Sequence, residues 1–421
     1  MRPVNNPVNP SPSHSANPSA DRSSDRSADR SAPRSAGRSE GRSDEQATGA
    51  IVVRPAIKPG LARLWRERQT LQFGTVRRHA RVIEGVDRNL ADFLTLIDGS
   101  RDGPGVVDAG KRLGLTPEYC LAVLDSLARS ELLDDAQAVR DVLELYPSAR
   151  RELLAPDLAS LSLVHPGPGE AAAVLHGRAR ARVEVRGAGR IGAAVGAALA
   201  AGGIGEVAVL DRGRVTARDC APGGLPTGDI GRLRGTAARE LVHRVTGAPV
   251  GERYRRPPAA PPPPTLVVLA PRDGSAAYTG AAVDAQELMR AGIPHLYTGV
   301  LEHLGVVGPL VVPGASACGS CATLARRDED EAWPRLLAQL IDEGPGRARV
   351  PACDSAVATS IAGLAALHVQ LYLDGVLPPS VDGWCELSAA DGMVRRLRLR
   401  SHPDCGCLWQ SVTPGPAGTM A

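Results

Sequence analysis

The chain has 421 residues, 43% of them apolar, and carries 49 Lys and Arg against 46 Asp and Glu, a formal net charge of +3. So close a balance argues against nucleic acid or an anionic membrane as the main partner. The length allows two or three cored domains; with two Phe and six Tyr, their cores must be built from Ala, Val and Leu. Nothing reads as a signal peptide or a membrane span, so a cytoplasmic protein is expected. In that setting, close pairs among the eight cysteines point to metal before disulfide. Lys58 and Lys111 are the only lysines, which excludes a Walker-type phosphate loop further on. The one GxSxG match, Gly37 to Gly41, lies in the low-complexity repeat and offers no strand–turn–helix elbow, and no HExxH stretch occurs, so hydrolase and metalloprotease chemistry has little support.

Residues 1–50 read as a low-complexity tail. A four-residue unit repeats from Ser19 to Arg42 and sets Arg22, Arg26, Arg30, Arg34, Arg38 and Arg42 at a period of four. Ser, Gly and Pro oppose a helix there, no apolar face is available to bury, and Asp21, Asp25 and Asp29 cancel much of the field. A disordered tail is expected rather than a binding arm.

Residues 51–140 read as a small winged-helix-like domain. Leu71 and Phe73 share one face of a strand before Gly74, and ARVIEGV supplies a second strand ending near Gly85. Leu90, Phe93, Leu94 and Ile97 follow the helical i, i+3, i+4, i+7 pattern. GVVDAGKRLG is a short second helix, and Thr116-Pro117 opens a third carrying Leu121, Leu124 and Leu127. That third helix bears Glu118 and Asp125 against Arg129, poor material for a DNA-reading helix. In element order and in LIDGSRDGPGVVDAGKRLG the stretch from about 55 to 135 resembles PqqD-like peptide-recognition domains. The resemblance implies that a leader peptide adds as an extra strand on a sheet edge, expected near Leu71 to Phe73.

Residues 141–178 are expected as a connector with one helix, around Asp157 to Leu163. Val183 to Asp211 then forms a β–turn–α–β–acid unit: Val183 and Val185, then Gly187, Gly189 and Gly192, an Ala-rich helix, and Val207, Val209 and Leu210 leading to Asp211. Gly187 suits the tight turn, Gly189 the approach of a phosphate, Gly192 close helix packing, and Asp211 a ribose hydroxyl. The proline run Pro257 to Pro264 is too poor in donors for a central strand. Leu266 to Leu269 reads as a buried strand running out to Asp273, and two antiparallel strands are expected around Glu302 to Gly305.

Cys318 and Cys321 in CGSC, with Cys405 and Cys407 in CGC, supply four thiolates, enough for a closed structural zinc site. The tight CGC spacing leaves His402 and Cys353 open as substitute ligands. Four unrelated buried thiols are the alternative.

The order of glycine loop, VAVLDRGRV, Asp273, CxxC, apolar helix and late cysteine pair resembles the ThiF/MoeB-type, ubiquitin-activating-like superfamily, over about residues 150–410. The resemblance implies an α/β fold with a Rossmann-like sheet and structural zinc across 179–421. It implies ATP and Mg2+ as cofactors and adenylation of a carboxylate on a small protein or ribosomal precursor peptide. Gly187, Gly189, Gly192, Asp211 and Asp273 would hold the nucleotide and its metal, with Arg234 and Asp273 as catalytic groups. Cys353 would be an acyl-carrying thiol, with burial in the core as its plainer role. A homodimer is the common assembly of that superfamily.

The chain departs from the family pattern at three places. Gly213 stands for its second acid, Asp219 and Pro222 for an asparagine and an arginine, and Arg234 for a lysine. Three functions therefore stand side by side: a working adenylyltransferase; a leader-peptide-binding scaffold beside a YcaO-type cyclodehydratase subunit; and, ranked last, an NAD(P)-dependent dehydrogenase.

Overall fold

The structure is a computed structural model, and it describes residues 2–3, 52–247, 262–272, 281–342, 350 and 352–408. The expected disorder of the tail, Asp273 and the prolines up to Pro261 fall outside the described residues. The chain divides into two compact units, Met1–Leu133 and Asp134–Ala421.

The first unit contains β1 (Arg2–Pro3), β2 (Pro55–Ile57), β3 (Arg63–Glu67), β4 (Thr70–Phe73), β5 (Arg81–Glu84), α1 (Arg88–Leu96), α2 (Gly103–Arg112) and α3 (Pro117–Arg129); β6 (Leu133–Asp135) follows at the boundary. Each helix starts at a side-chain cap: Asp87 accepts from the Leu90 amide, Asp102 from Gly105 and Thr116 from Tyr119. Leu90, Phe93, Leu94 and Ile97 are all buried, with Leu71 and Phe73 beneath them. In the third helix Leu127 is buried and Leu124 packs against the core as expected, but Leu121 is 56% exposed and Cys120 is buried in its stead. The reason lies at Gly110 of α2, where a Cβ would stand 2.4 Å from the Cys120 sulfur, so the helices meet at a glycine and a thiol rather than at leucine. The sheet order is β1-β5-β4-β3. Leu71 to Phe73 therefore lies on a central strand, not on the edge expected for peptide addition, because β3, whose five residues are all exposed and carry no apolar alternation, pairs outside it.

The second unit opens with four helices, α4 (Ala136–Leu143), α5 (Ser148–Arg151), α6 (Ala155–Val164) and α7 (Glu170–Arg180), where one had been expected. They share a core around Tyr146, Leu154, Leu158 and Leu175. Then come β7 (Arg182–Arg186), α8 (Gly192–Ala201), β8 (Glu206–Leu210), α9 (Arg234–Val245), β9 (Leu266–Leu269), α10 (Ala281–Arg290), β10 (His295–Leu301), β11 (Leu304–Val311), α11 (Gly319–Glu329), α12 (Trp333–Asp342), α13 (Ser355–Leu373), β12 (Gly383–Ser388) and β13 (Val394–Arg398). Seven strands form one sheet in the order β13-β12-β11-β10-β9-β7-β8. β8, β7, β9 and β10 are parallel and the rest antiparallel, with the β10–β11 turn at Glu302, which takes a positive φ of 56°. This is a mixed α/β architecture whose parallel part places the glycine turn at the carboxyl ends of the strands.

Small residues let α8 lie against the sheet; a Cβ on Gly196 would stand 2.7 Å from Val209. α13 is the longest apolar segment, long and apolar enough by length and composition to cross a membrane. Its residues Val357, Ala358, Ile361, Ala365 and Val369 instead fill the core shared with α8 and β7. Arg178 on α7 reaches the end of α13 with a two-pronged ion pair to Asp374 (2.8 and 2.5 Å), and it also donates to the Gly202 carbonyl. These two side chains are only 6% and 2% exposed.

Removing one partner of so buried a pair strands the other charge, which typically costs about 3–5 kcal/mol. Asp374→Ala should lower the urea midpoint accordingly, with the slope of the transition unchanged. His368, buried on α13 against Ser380, has its pKa pulled down by burial to about 4. An unfolded histidine titrates near 6.5, so between these values only the unfolded chain takes up the proton. The stabilisation is complete above pH 6.5 and is lost as pH falls toward 4, by about 3 kcal/mol. Unfolding titrations of His368→Gln should show a flatter pH dependence than wild type over that window.

Candidate functional site

The glycine turn follows β7. Gly187 has a φ of +111°, and a Cβ there would strike the Ala270 carbonyl at 2.0 Å; at Gly192 it would strike the Gly187 carbonyl at 2.1 Å. Both glycines are thus required by the packing of the turn itself. At Gly189 a Cβ would meet the Arg272 backbone and side chain at 3.3–3.6 Å, so the face expected to admit a phosphate lies beside Arg272.

Asp211, at the end of β8, is the hub of the site. Its Oδ2 accepts the Ala188 amide (2.9 Å), and its Oδ1 accepts the Gly213 amide (2.8 Å) and Nη2 of Arg234 (2.9 Å). Burial opposes its ionisation, yet the guanidinium and the two amides hold the carboxyl below the usual range. Arg234, the first residue of α9, also donates to the Arg214 carbonyl and lies 3.6 Å from Asp219. Its guanidinium occupies the space above Gly213, where a Cβ would come within 2.2 Å of Nη2. The absence of a side chain at Gly213 thus leaves the room that the Arg234 guanidinium fills.

Asp219, 1% exposed, closes a capping box with Thr216 and accepts Nε of Arg272 at 2.6 Å; Arg272 also donates to the Thr216 hydroxyl at 2.9 Å. Arg272 was not singled out in the sequence. Its signal was its place, directly after a fully buried strand that runs out beside the glycine turn. Arg190, inside the turn, was passed over as well. It donates to the carbonyls of Cys220 and Cys353 and to the Ser355 hydroxyl, tying the turn to the start of α13. Cys353 is half-buried; burial pushes its thiol pKa up while Arg190 opposes the rise. The structure thus brings Gly187, Gly189, Gly192, Asp211 and Arg234 together, with Cys353 joined to them through Arg190.

The four cysteines also meet. Their sulfurs lie within 4.8 Å of one another, with Cys318–Cys321 at 3.9 Å, Cys318–Cys405 at 3.5 Å and Cys321–Cys407 at 3.5 Å. A tetrahedral zinc with bonds of about 2.3 Å requires sulfur separations of about 3.8 Å, so the donor set and its spacing could hold that ion. Cys353 is not among this set, and His402 serves it differently: its amide donates to the Cys321 sulfur and its ring pairs with Asp328 at 2.7 Å. Burial and the neighbouring sulfurs push the Cys407 thiol up to about 12 and Cys405 higher still, as expected of thiols that cannot all ionise without a cation between them.

No family model matches the chain, and no curated protein does. Solved structures do. E. coli MccB bound to MccA-N7isoASN aligns with a TM-score of 0.59 at 16% identity, over 84% of this chain and 99% of that one. The fold is shared with MccB. MccB bound to ATP aligns with a TM-score of 0.57 over the same shares at 16% identity. The heterocyclase TruD aligns with a TM-score of 0.55 at 16% identity, over 85% of this chain and 43% of TruD.

Purified without chelator, the protein should carry close to one zinc per chain by elemental analysis, and Cys321→Ser should lose it. Zinc-free wild-type protein would exclude the site.

Proposed function

We propose that this protein binds a ribosomal precursor peptide through its first unit, acting as a PqqD-like recognition module, and takes part in the modification of that peptide. The observation that carries this reading is β5. It pairs with β4 on one side, has, among the described residues, only the two-residue β1 on the other, and borders a groove of about 370 Å³ shared with α1 and α3. Val82, Ile83, Leu90, Leu94, Tyr119 and Val123 line it. An extended peptide laid along such a strand gains affinity from main-chain hydrogen bonds and selectivity from alternate side chains entering the groove. MccB, with a similar fold, has been crystallised with the peptide MccA, which supports the same use here.

The second unit is read as a ThiF-type scaffold that presents the peptide to an ATP-using subunit of the YcaO type. Asp211, the carboxylate meant for a ribose, already accepts two amides and a guanidinium, and Pro222 stands where the family pattern has a phosphate-binding arginine. The second reading, adenylation of a carboxylate with ATP and Mg2+, is favoured by one observation: Arg272 stands beside Gly189. The turn fits an anion, and Arg272 would hold a phosphate there by turning from Asp219, whereas Arg190 is taken up by Cys220, Cys353 and Ser355. When bound, ATP supplies the activated phosphoanhydride. For a ribose the fit is poor as long as Arg234 holds Asp211.

Two measurements separate these readings. Fluorescence anisotropy with candidate precursor peptides should show binding that Tyr119→Ala weakens about tenfold, and absence of binding to every candidate would defeat the peptide reading. ATP–pyrophosphate exchange should not exceed that of Asp211→Ala; exchange well above this control and abolished by Arg272→Ala would establish adenylation instead.

A further inference from the structure

The β5 edge is paired with the chain's own beginning. Arg2 lies opposite Val82 and Pro3 opposite Arg81, antiparallel. We propose that the N-terminal segment is a resident occupant of this edge, which an incoming peptide must displace.

The sheet offers two edges, and they differ in kind. β3 is exposed along its whole length and, among the described residues, pairs with β4 alone, so it is the more accessible strand there. The N-terminus nevertheless sits on β5, the strand that borders the groove. A segment pairing indiscriminately with any open ladder would have no reason to prefer the less exposed one. The direction also suits an occupant. Antiparallel addition pairs alternate backbone groups of the added segment with β5, and Pro3 has no N–H to offer a further strand.

Tethering makes a weak contact effective. A segment on the same chain competes at an effective concentration in the millimolar range. With an intrinsic dissociation constant near 0.1 mM, it would weaken any competitor about tenfold. The edge would then be filled at rest and open only to peptides that use the groove as well as the ladder.

The competition rests on reading β5 as the peptide site, whereas the self-pairing does not, and the experiment separates the two. A fluorescein-labelled synthetic peptide of the first ten residues, MRPVNNPVNP, is titrated against the full chain and against the chain lacking residues 1–50, with circular dichroism confirming that both are folded. Saturable binding to the shortened chain, at least tenfold weaker to the full chain and absent for the same peptide with an N-methylated backbone, is expected. Hydrogen exchange of the Arg81–Glu84 amides should be faster in the shortened chain. Equal binding to the two chains, no binding to the shortened one, or unchanged exchange would overturn the proposal. Candidate precursor peptides serve as the second arm. If they bind the shortened chain while the ten-residue probe does not, self-pairing fails and the peptide reading stands. If the probe binds and none of them does, the self-pairing stands and the peptide reading fails.

Discussion

The second unit depends on one carboxylate. Asp211 joins the turn after β7, the residues after β8 and the start of α9 through two amides and the Arg234 guanidinium. Arg234 extends the connection toward Asp219, and Asp219 hands it on to Arg272 at the end of β9. Acids and cations alternate through this network, each charge beside its opposite. Such networks favour a single arrangement, because an unpaired member in a low-dielectric setting is costly. The residues that would receive a nucleotide are thereby the residues that hold three segments in register.

That coupling extends to the space the side chains occupy. A Cβ at 213 would stand 2.2 Å from Nη2 of Arg234, so a side chain there would require the guanidinium to move.

What could be read in the sequence was whatever had a period or a spacing. The helical phase of Leu90, Phe93, Leu94 and Ile97, the alternation at Leu71 and Phe73, the glycine turn between two apolar strands, and the two cysteine pairs all correspond to real juxtapositions. What escaped had neither. β3 is exposed throughout, so its sequence carries no inside and outside. In α3, Cys120 rather than Leu121 faces the core because its neighbour is a glycine in α2, a contact no local window contains. The saturation of Asp211 and the position of Arg272 arise from chain segments brought together only by the sheet.

The Arg178–Asp374 pair has a consequence for how the protein is made. Its partners are 196 residues apart, and each is almost fully removed from water. At roughly 5–20 residues per second on the ribosome, Arg178 waits about 10–40 s for its counter-charge to be synthesised. Until then its burial would leave a guanidinium unpaired, so α7 cannot take its final place. The first unit, complete by Leu133, has no such delay. Synthesis therefore presents a finished groove-bearing unit while the larger one still waits for its last long helix.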